Sequence, residues 1–133
     1  MKLFKSSIVF IILLLIAQSC KSDSELTLER GNYFYSNEKY ENAASEFKKI
    51  IFQYSDIGSL DNKEIEILAH AYQQLALSQA KLANQASTDR EKIIDYQHAL
   101  DNIKKAESLA IKEGKRSEYR KTRLGIEQNL KQK

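Results

Sequence analysis

No proline occurs anywhere in these 133 residues, and glycine occurs only four times. Proline removes a backbone donor and clashes with the preceding helical turn, so a chain without it can carry long helices unbroken. Alanine, leucine, lysine, glutamate and glutamine, all strong helix formers, dominate the remaining positions. The expected fold class is therefore all-α.

The spacing of apolar residues places the helices. Ser22 and Glu25 have capping-box spacing, so a first helix is expected from about Asp23 to the turn-prone pair Ser36-Asn37. A second is expected from about Lys39 to Tyr54. Its apolar residues Tyr40, Ala43, Phe47, Ile50 and Tyr54 follow steps of 3, 4, 3 and 4, one stripe on a 3.6-residue period. Residues 55–62 read as a loop. Asp61 or Asn62 caps a third helix, about Lys63 to Ala86, and Ser87-Thr88-Asp89 separates it from a fourth, about Arg90 to Lys112, stopped near Gly114. A fifth starts between 115 and Ser117 and carries Tyr119, Ile126 and Leu130 onto the fourth as a cap, with Gly125 inside it.

The chain repeats itself. Tyr96, Ala99, Ile103, Ala106 and Ala110 reproduce the spacing of the second helix 56 residues later, and Ala76 stands 45 residues after Gly31. The two offsets differ by 11 residues, close to three helical turns. An insertion of whole turns lengthens a helical hairpin without rotating its apolar face, so the second hairpin reads as a stretched copy of the first.

The first 24 residues have a different character. Lys2 and Lys5 precede an apolar run, Ile8 to Ala17, which gives way to Gln18, Ser19 and Cys20, the single cysteine. A basic start, a short apolar core and a small residue before the cut describe a secretory signal peptide. A run of ten is short of the roughly 20 residues that span a bilayer. The segment Ile16-Ala17-Gln18-Ser19-Cys20 resembles the lipobox of bacterial lipoproteins, in which the signal is cleaved before the cysteine (here between Ser19 and Cys20) and the cysteine is acylated. Ala17 stands where leucine is commoner. An ordinary signal peptide with a free cysteine nearby, or an N-terminal anchor helix, fits the same residues. Acylation at Cys20 implies a lasting membrane anchor, since each buried CH₂ contributes about 0.8 kcal/mol. Lys21 follows the cysteine in place of the aspartate that holds some lipoproteins at the inner membrane, which favours the outer membrane.

On this reading residues 1–19 are a signal, 20–24 a lipidated tether and 25–133 the folded domain. The formal net charge of +3 falls to +1 once Lys2 and Lys5 leave with the signal, which is no nucleic-acid signature. That charge is uneven: residues 20–111 sum to −4 and residues 112–133 to +5. Arg116, Arg120, Lys121 and Arg123 form a candidate cationic strip for anionic lipid or an acidic partner.

The stretch Arg30-Gly31-Asn32-Tyr33-Phe34-Tyr35-Ser36-Asn37-Glu38-Lys39-Tyr40-Glu41-Asn42-Ala43, continued by Phe47 and Ile50, resembles the tetratricopeptide repeat (TPR). The resemblance implies one repeat at 24–57, a stretched one at 69–112 and a capping helix at 115–132, together a short α-solenoid of about five helices. It implies packing roles for Gly31, Phe34, Tyr40, Ala43, Phe47 and Ile50, and for Tyr72, Ala76, Ala99, Ile103 and Ala106, with Ala43 as the small residue opposite Gly31. It implies a concave protein-binding face at Leu28, Asn32, Tyr35, His70, Gln73, Leu77 and Lys81. Chaperone-tail-binding members carry lysine where Leu28 stands, so a carboxylate clamp is not expected. A TPR hairpin soon after a lipidated cysteine is also similar to the BamD-type lipoproteins of the outer-membrane β-barrel assembly machinery.

No catalytic pattern is present. His70 and His98 lie 28 residues apart without ligand-spaced companions, and neither a phosphate loop, a zinc-protease motif nor a serine elbow occurs. No enzyme activity, metal, cofactor or small-molecule substrate is expected. The expected function is a membrane-anchored scaffold in the bacterial cell envelope that binds a protein partner. The alternatives are a surface-displayed lipoprotein that binds a host or extracellular ligand, and a cell-wall or lipid-contacting accessory protein.

Overall fold

The computed structural model describes residues 21–132; the expected signal sequence, Ser19 and Cys20 lie outside them. Among the described residues there are five α-helices, one 3₁₀ turn and no strand: α1 (Asp23–Ser36), α2 (Tyr40–Gln53), the 3₁₀ turn (Ile57–Ser59), α3 (Asn62–Gln85), α4 (Asp89–Leu109) and α5 (Glu113–Lys131). No helix among them is long and apolar enough to cross a membrane. The fold is all-α.

The starts of three helices follow from local chemistry. Ser22 closes a full capping box on α1: its hydroxyl accepts from the Glu25 amide at 3.3 Å, and the Glu25 carboxylate accepts from the Ser22 amide at 2.8 Å. Asp61 and Glu64 do the same for α3, at 2.8 and 2.9 Å, and Thr88 caps α4 by accepting from the Glu91 amide at 3.2 Å. The Ser22 amide, followed by Lys63, holds the Glu25 carboxyl down at about 2. Its stabilising contribution is therefore complete above about pH 4.5 and disappears as pH falls towards 2.

The turn from α1 to α2 is a Schellman motif. The Lys39 amide donates to the Phe34 carbonyl at 2.9 Å and the Glu38 amide to the Tyr35 carbonyl at 3.0 Å. Glu38 takes the left-handed position with φ of 59°, where glycine is the usual occupant. Glu38→Gly relieves the Cβ strain at some entropic cost, and we expect it to raise stability by about 0.5–1 kcal/mol in urea unfolding.

Two boundaries differ from the sequence expectation. The fourth helix ends at Leu109 rather than Lys112, and the fifth begins at Glu113, before 115, so that Gly114 sits in its first turn. No breaker residue ends α4. Its terminal carbonyl at Ala110 accepts from Arg116 Nη2 at 2.8 Å, so a side chain of the next helix closes it.

Each helix packs on the next in sequence, and α3 also touches α1 on one side and α5 on the other. Between α1 and α2, Gly31 faces Phe47. A Cβ at Gly31 would meet three carbons of the Phe47 ring at under 3.0 Å. The Phe47 ring fills the space at Gly31 and is itself fully enclosed among Ala43, Ala44 and Leu75. Between α3 and α4 runs an alanine seam. Ala69, Ala76 and Ala83 recur every seventh residue on α3, against Tyr96, Ala99, Ile103, Ala106 and Ala110 on α4. Small residues there let the helix axes come close. Tyr119 and Ile126 of α5 bury into the same cluster, with Leu130 packed beside them. Phe34 and Tyr72, both partly buried, complete the packing residues named from the repeat pattern.

Candidate functional site: a groove over helix α3

The face of α3 turned away from α2 and α4 forms the floor of a groove, with α1 and α5 as its walls. One end is a cavity of about 450 Å³ lined by Tyr35 of α1, by Leu77, Ala80, Lys81 and Asn84 of α3, and by Lys121, Thr122, Gly125, Ile126, Gln128 and Asn129 of α5. The other is a cavity of about 320 Å³ that includes Leu28 of α1, Lys63, Ile67 and His70 of α3, and Ile111, Lys115 and Tyr119 near the start of α5. Among the residues expected at the groove, Tyr35, Leu77 and Lys81 meet in the first cavity and Leu28 and His70 in the second. Asn32 is half-buried on α1 between them in sequence and lines neither cavity.

Gln73 departs from expectation. It is 4 % exposed rather than open to a partner, because α5 covers it. Its Nε2 donates to Glu118 Oε1 at 3.1 Å and stands 3.5 Å from Thr122 Oγ1. Gln73 thus ties the floor of the groove to its α5 wall. Its Oε1 is buried with no hydrogen-bond partner, and His70, one turn earlier on α3, is the neighbouring side chain that interacts with it.

His70 is held below the ordinary histidine range, first by burial and then by Lys115, against opposing effects from Gln73 and Glu118. The folded state therefore binds a proton at His70 less readily than the unfolded chain, whose histidine titrates near 6.5. Stability supported by neutral His70 is present above that value and is lost as pH falls below it. We expect the urea midpoint to drop between pH 7.5 and 5, and the drop to shrink in His70→Gln. An equal drop in both proteins contradicts this assignment.

The cationic strip read from the sequence is largely spent on folding. Glu107 of α4 accepts from Arg123 Nε at 2.7 Å and Arg120 Nε at 3.0 Å, and Arg116 closes α4 as described. Arg123, then Arg120, holds the Glu107 carboxyl below its usual range despite partial burial. Of the four cations, Lys121 turns to the groove. Among the described residues neither Lys121 nor Lys81 forms an ion pair. No acidic residue lines their cavity, whose other polar groups include Asn84, Thr122, Gln128 and Asn129.

Sequence reasoning missed most of the α5 wall, together with Lys63 and Asn84. A signal for Lys63 and Asn84 was available: both share the α3 face of His70 and Leu77 at helical spacing. The α5 wall had none, because its register against α3 is set by tertiary contacts.

Among the described residues no group of three or more histidine, cysteine, aspartate or glutamate side chains is placed to hold a metal ion. His98 is exposed on α4. Comparison with protein-family models, curated proteins and solved structures finds no match.

Proposed function

We propose that this chain is a lipid-anchored, TPR-like scaffold of the bacterial cell envelope that holds a segment of a partner protein in the groove over α3. The observation that carries the reading is the cavity at Tyr35, Leu77, Lys81 and Lys121, where an apolar floor lies between two lysines that no acid neutralises. Such a surface suits an extended peptide or a partner helix bearing aliphatic and acidic side chains. The alternation of packing, with α1, α3 and α5 adjacent along one side and α2 and α4 bridging them, supports a short solenoid of helical hairpins. The lipobox-like segment ending at Cys20 supports the anchor and the envelope location, with the outer membrane preferred. Catalysis has no part in this reading. Assembly of outer-membrane proteins is the process it points to, through the likeness to BamD-type lipoproteins.

Photo-crosslinking in cells tests it. A crosslinker at Tyr35 or Lys81 captures the same envelope protein, while one at Ser45, exposed on α2 and lining neither cavity, does not. Capture of nothing specific from Tyr35 and Lys81, or equal capture from Ser45, overturns groove binding. Gln73 is unsuitable for this purpose because it is buried beneath α5.

A further inference from the structure

Phe52 is 84 % exposed on the last turn of α2, between Ile50 and Tyr54, which are buried. It is the most exposed large apolar side chain of the described residues, and it projects from a specific place in the fold. Tyr54 shares a 2.6 Å hydrogen bond with Ser24 in the first turn of α1. Glu25, beside Ser24, pairs with Lys63 in the first turn of α3 at 2.9 Å. Glu66, one turn further along α3, pairs with Lys112 in the α4–α5 connection at 3.2 Å, and Ile111 next to it is 44 % exposed. The start of α1, the end of α2, the start of α3 and the α4–α5 connection thus form one end of the helix stack. Phe52, Leu26 in the first turn of α1 (46 % exposed) and Ile111 are the large apolar side chains exposed there.

That end is also where the chain leads back towards Cys20. Asp23, the first residue of α1, stands three chain steps after Cys20, with Lys21 and Ser22 between them, and three steps reach at most about 10 Å. The headgroup layer of one leaflet is about 5–8 Å deep. If Cys20 is acylated, as the proposed function has it, this end of the domain cannot stand clear of the bilayer surface.

We infer that the end of the stack marked by Phe52 and Ile111 docks on the phospholipid surface, with Phe52 entering the interfacial layer. The contact is apolar rather than electrostatic. The lysines at this end, among them Lys63 and Lys112, are already paired with Glu25 and Glu66, and the capping acids Asp61 and Glu64 stand beside them. The contact therefore tolerates high salt and does not require anionic lipid. Docking at this end orients the helix axes relative to the membrane, and with them the groove. The inference rests on the anchor proposed above.

The chain contains no tryptophan, so a single introduced one is a clean reporter. Full-length Phe52→Trp and Tyr33→Trp proteins, made in bacteria, are reconstituted into vesicles of phosphatidylethanolamine and phosphatidylglycerol, with and without brominated acyl chains. Tyr33 is 64 % exposed and lies about nine residues of helix, roughly 14 Å, further from the tether end than Ser24. We expect the Phe52→Trp emission to shift to the blue on reconstitution and to be quenched by the brominated lipid, also at high salt, and the Tyr33→Trp emission to remain unquenched. An unquenched Phe52→Trp in a protein that floats with the vesicles overturns the docking while leaving the anchor intact. Equal quenching at both sites overturns it too, because the domain then has no preferred orientation. A blue shift without lipid quenching assigns Phe52 to a protein contact and likewise overturns it. A protein that does not float with the vesicles at all removes the anchor, and the docking with it.

Discussion

Phe47→Ala removes about 3–5 kcal/mol of unfolding free energy, a large share of the 5–15 kcal/mol typical of a domain. Phe47 is fully buried between α1, α2 and α3. Its ring also occupies the one place where α1 has no side chain, at Gly31. The two residues are therefore coupled. Glycine to alanine within a helix ordinarily gains about 1 kcal/mol. Here the added methyl meets a ring that has nowhere to swing, and overpacking of that kind costs about 1–3 kcal/mol. Gly31→Ala in the native background is expected to lose about 1–2 kcal/mol. In a Phe47→Leu background the same change is expected to be neutral or to gain up to about 1 kcal/mol. Urea unfolding of the four proteins gives the cycle directly. Additive effects would mean that the ring does not confront Gly31.

Ala76→Leu is the second large effect. Ala76 is fully buried on the α3 side of the alanine seam, in the cluster that holds Ala99 and Ile103 of α4. A leucine there forces the helices apart or drives neighbouring side chains from their rotamers, at about 3 kcal/mol, the upper end of the usual range for overpacking. Leu77, one residue along, points to the groove. Leu77→Ala is expected to cost less than about 1 kcal/mol. A melting temperature that falls steeply for Ala76→Leu and little for Leu77→Ala separates packing from groove on one helix. If the order is reversed, the assignment of faces on α3 is wrong.

How much of this was legible in the sequence depends on the range of the interaction concerned. The caps are contacts three residues long: the one at Ser22 could be read directly, and those of α3 and α4 could be narrowed to Asp61 or Asn62 and to Ser87-Thr88-Asp89, where the structure selects Asp61 and Thr88. The stripe Tyr40-Ala43-Phe47-Ile50-Tyr54 was legible because helical period alone decides which residues share a face, and all five are buried. The end of α4 was not. Gly114 suggested a stop, but glycine is also tolerated in the first turn of a helix, where it is found. The chain actually turns at Ala110, whose carbonyl is satisfied by Arg116 from the following helix. The TPR resemblance implies a groove position for Gln73 beside His70 and Leu77. Its burial depends on where α5 crosses α3, a register fixed by Glu118 and Thr122. The arginines of α5 read as a free cationic strip for the same reason. Their spacing shows that they share a side of the helix, and only the packed structure shows that Glu107 lies across from them.

The basic C-terminal helix and the tether end therefore divide the work differently from what charge alone suggests. The arginines fasten α5 onto α4, α5 in turn walls the groove, and the lysines left over, Lys81 and Lys121, line it. The apolar residues at the other end of the stack, Phe52 and Ile111, face the bilayer if the chain is anchored there. Anchor, orientation and groove form one dependent series, in which the acylation of Cys20 comes first.

Mass spectrometry of the mature protein extracted from bacterial membranes tests that step most directly. We expect a chain that begins at Cys20, lacks residues 1–19, and carries diacylglyceryl and amide-linked acyl mass on its first residue. A chain that begins elsewhere, or a Cys20 that carries no lipid, contradicts it.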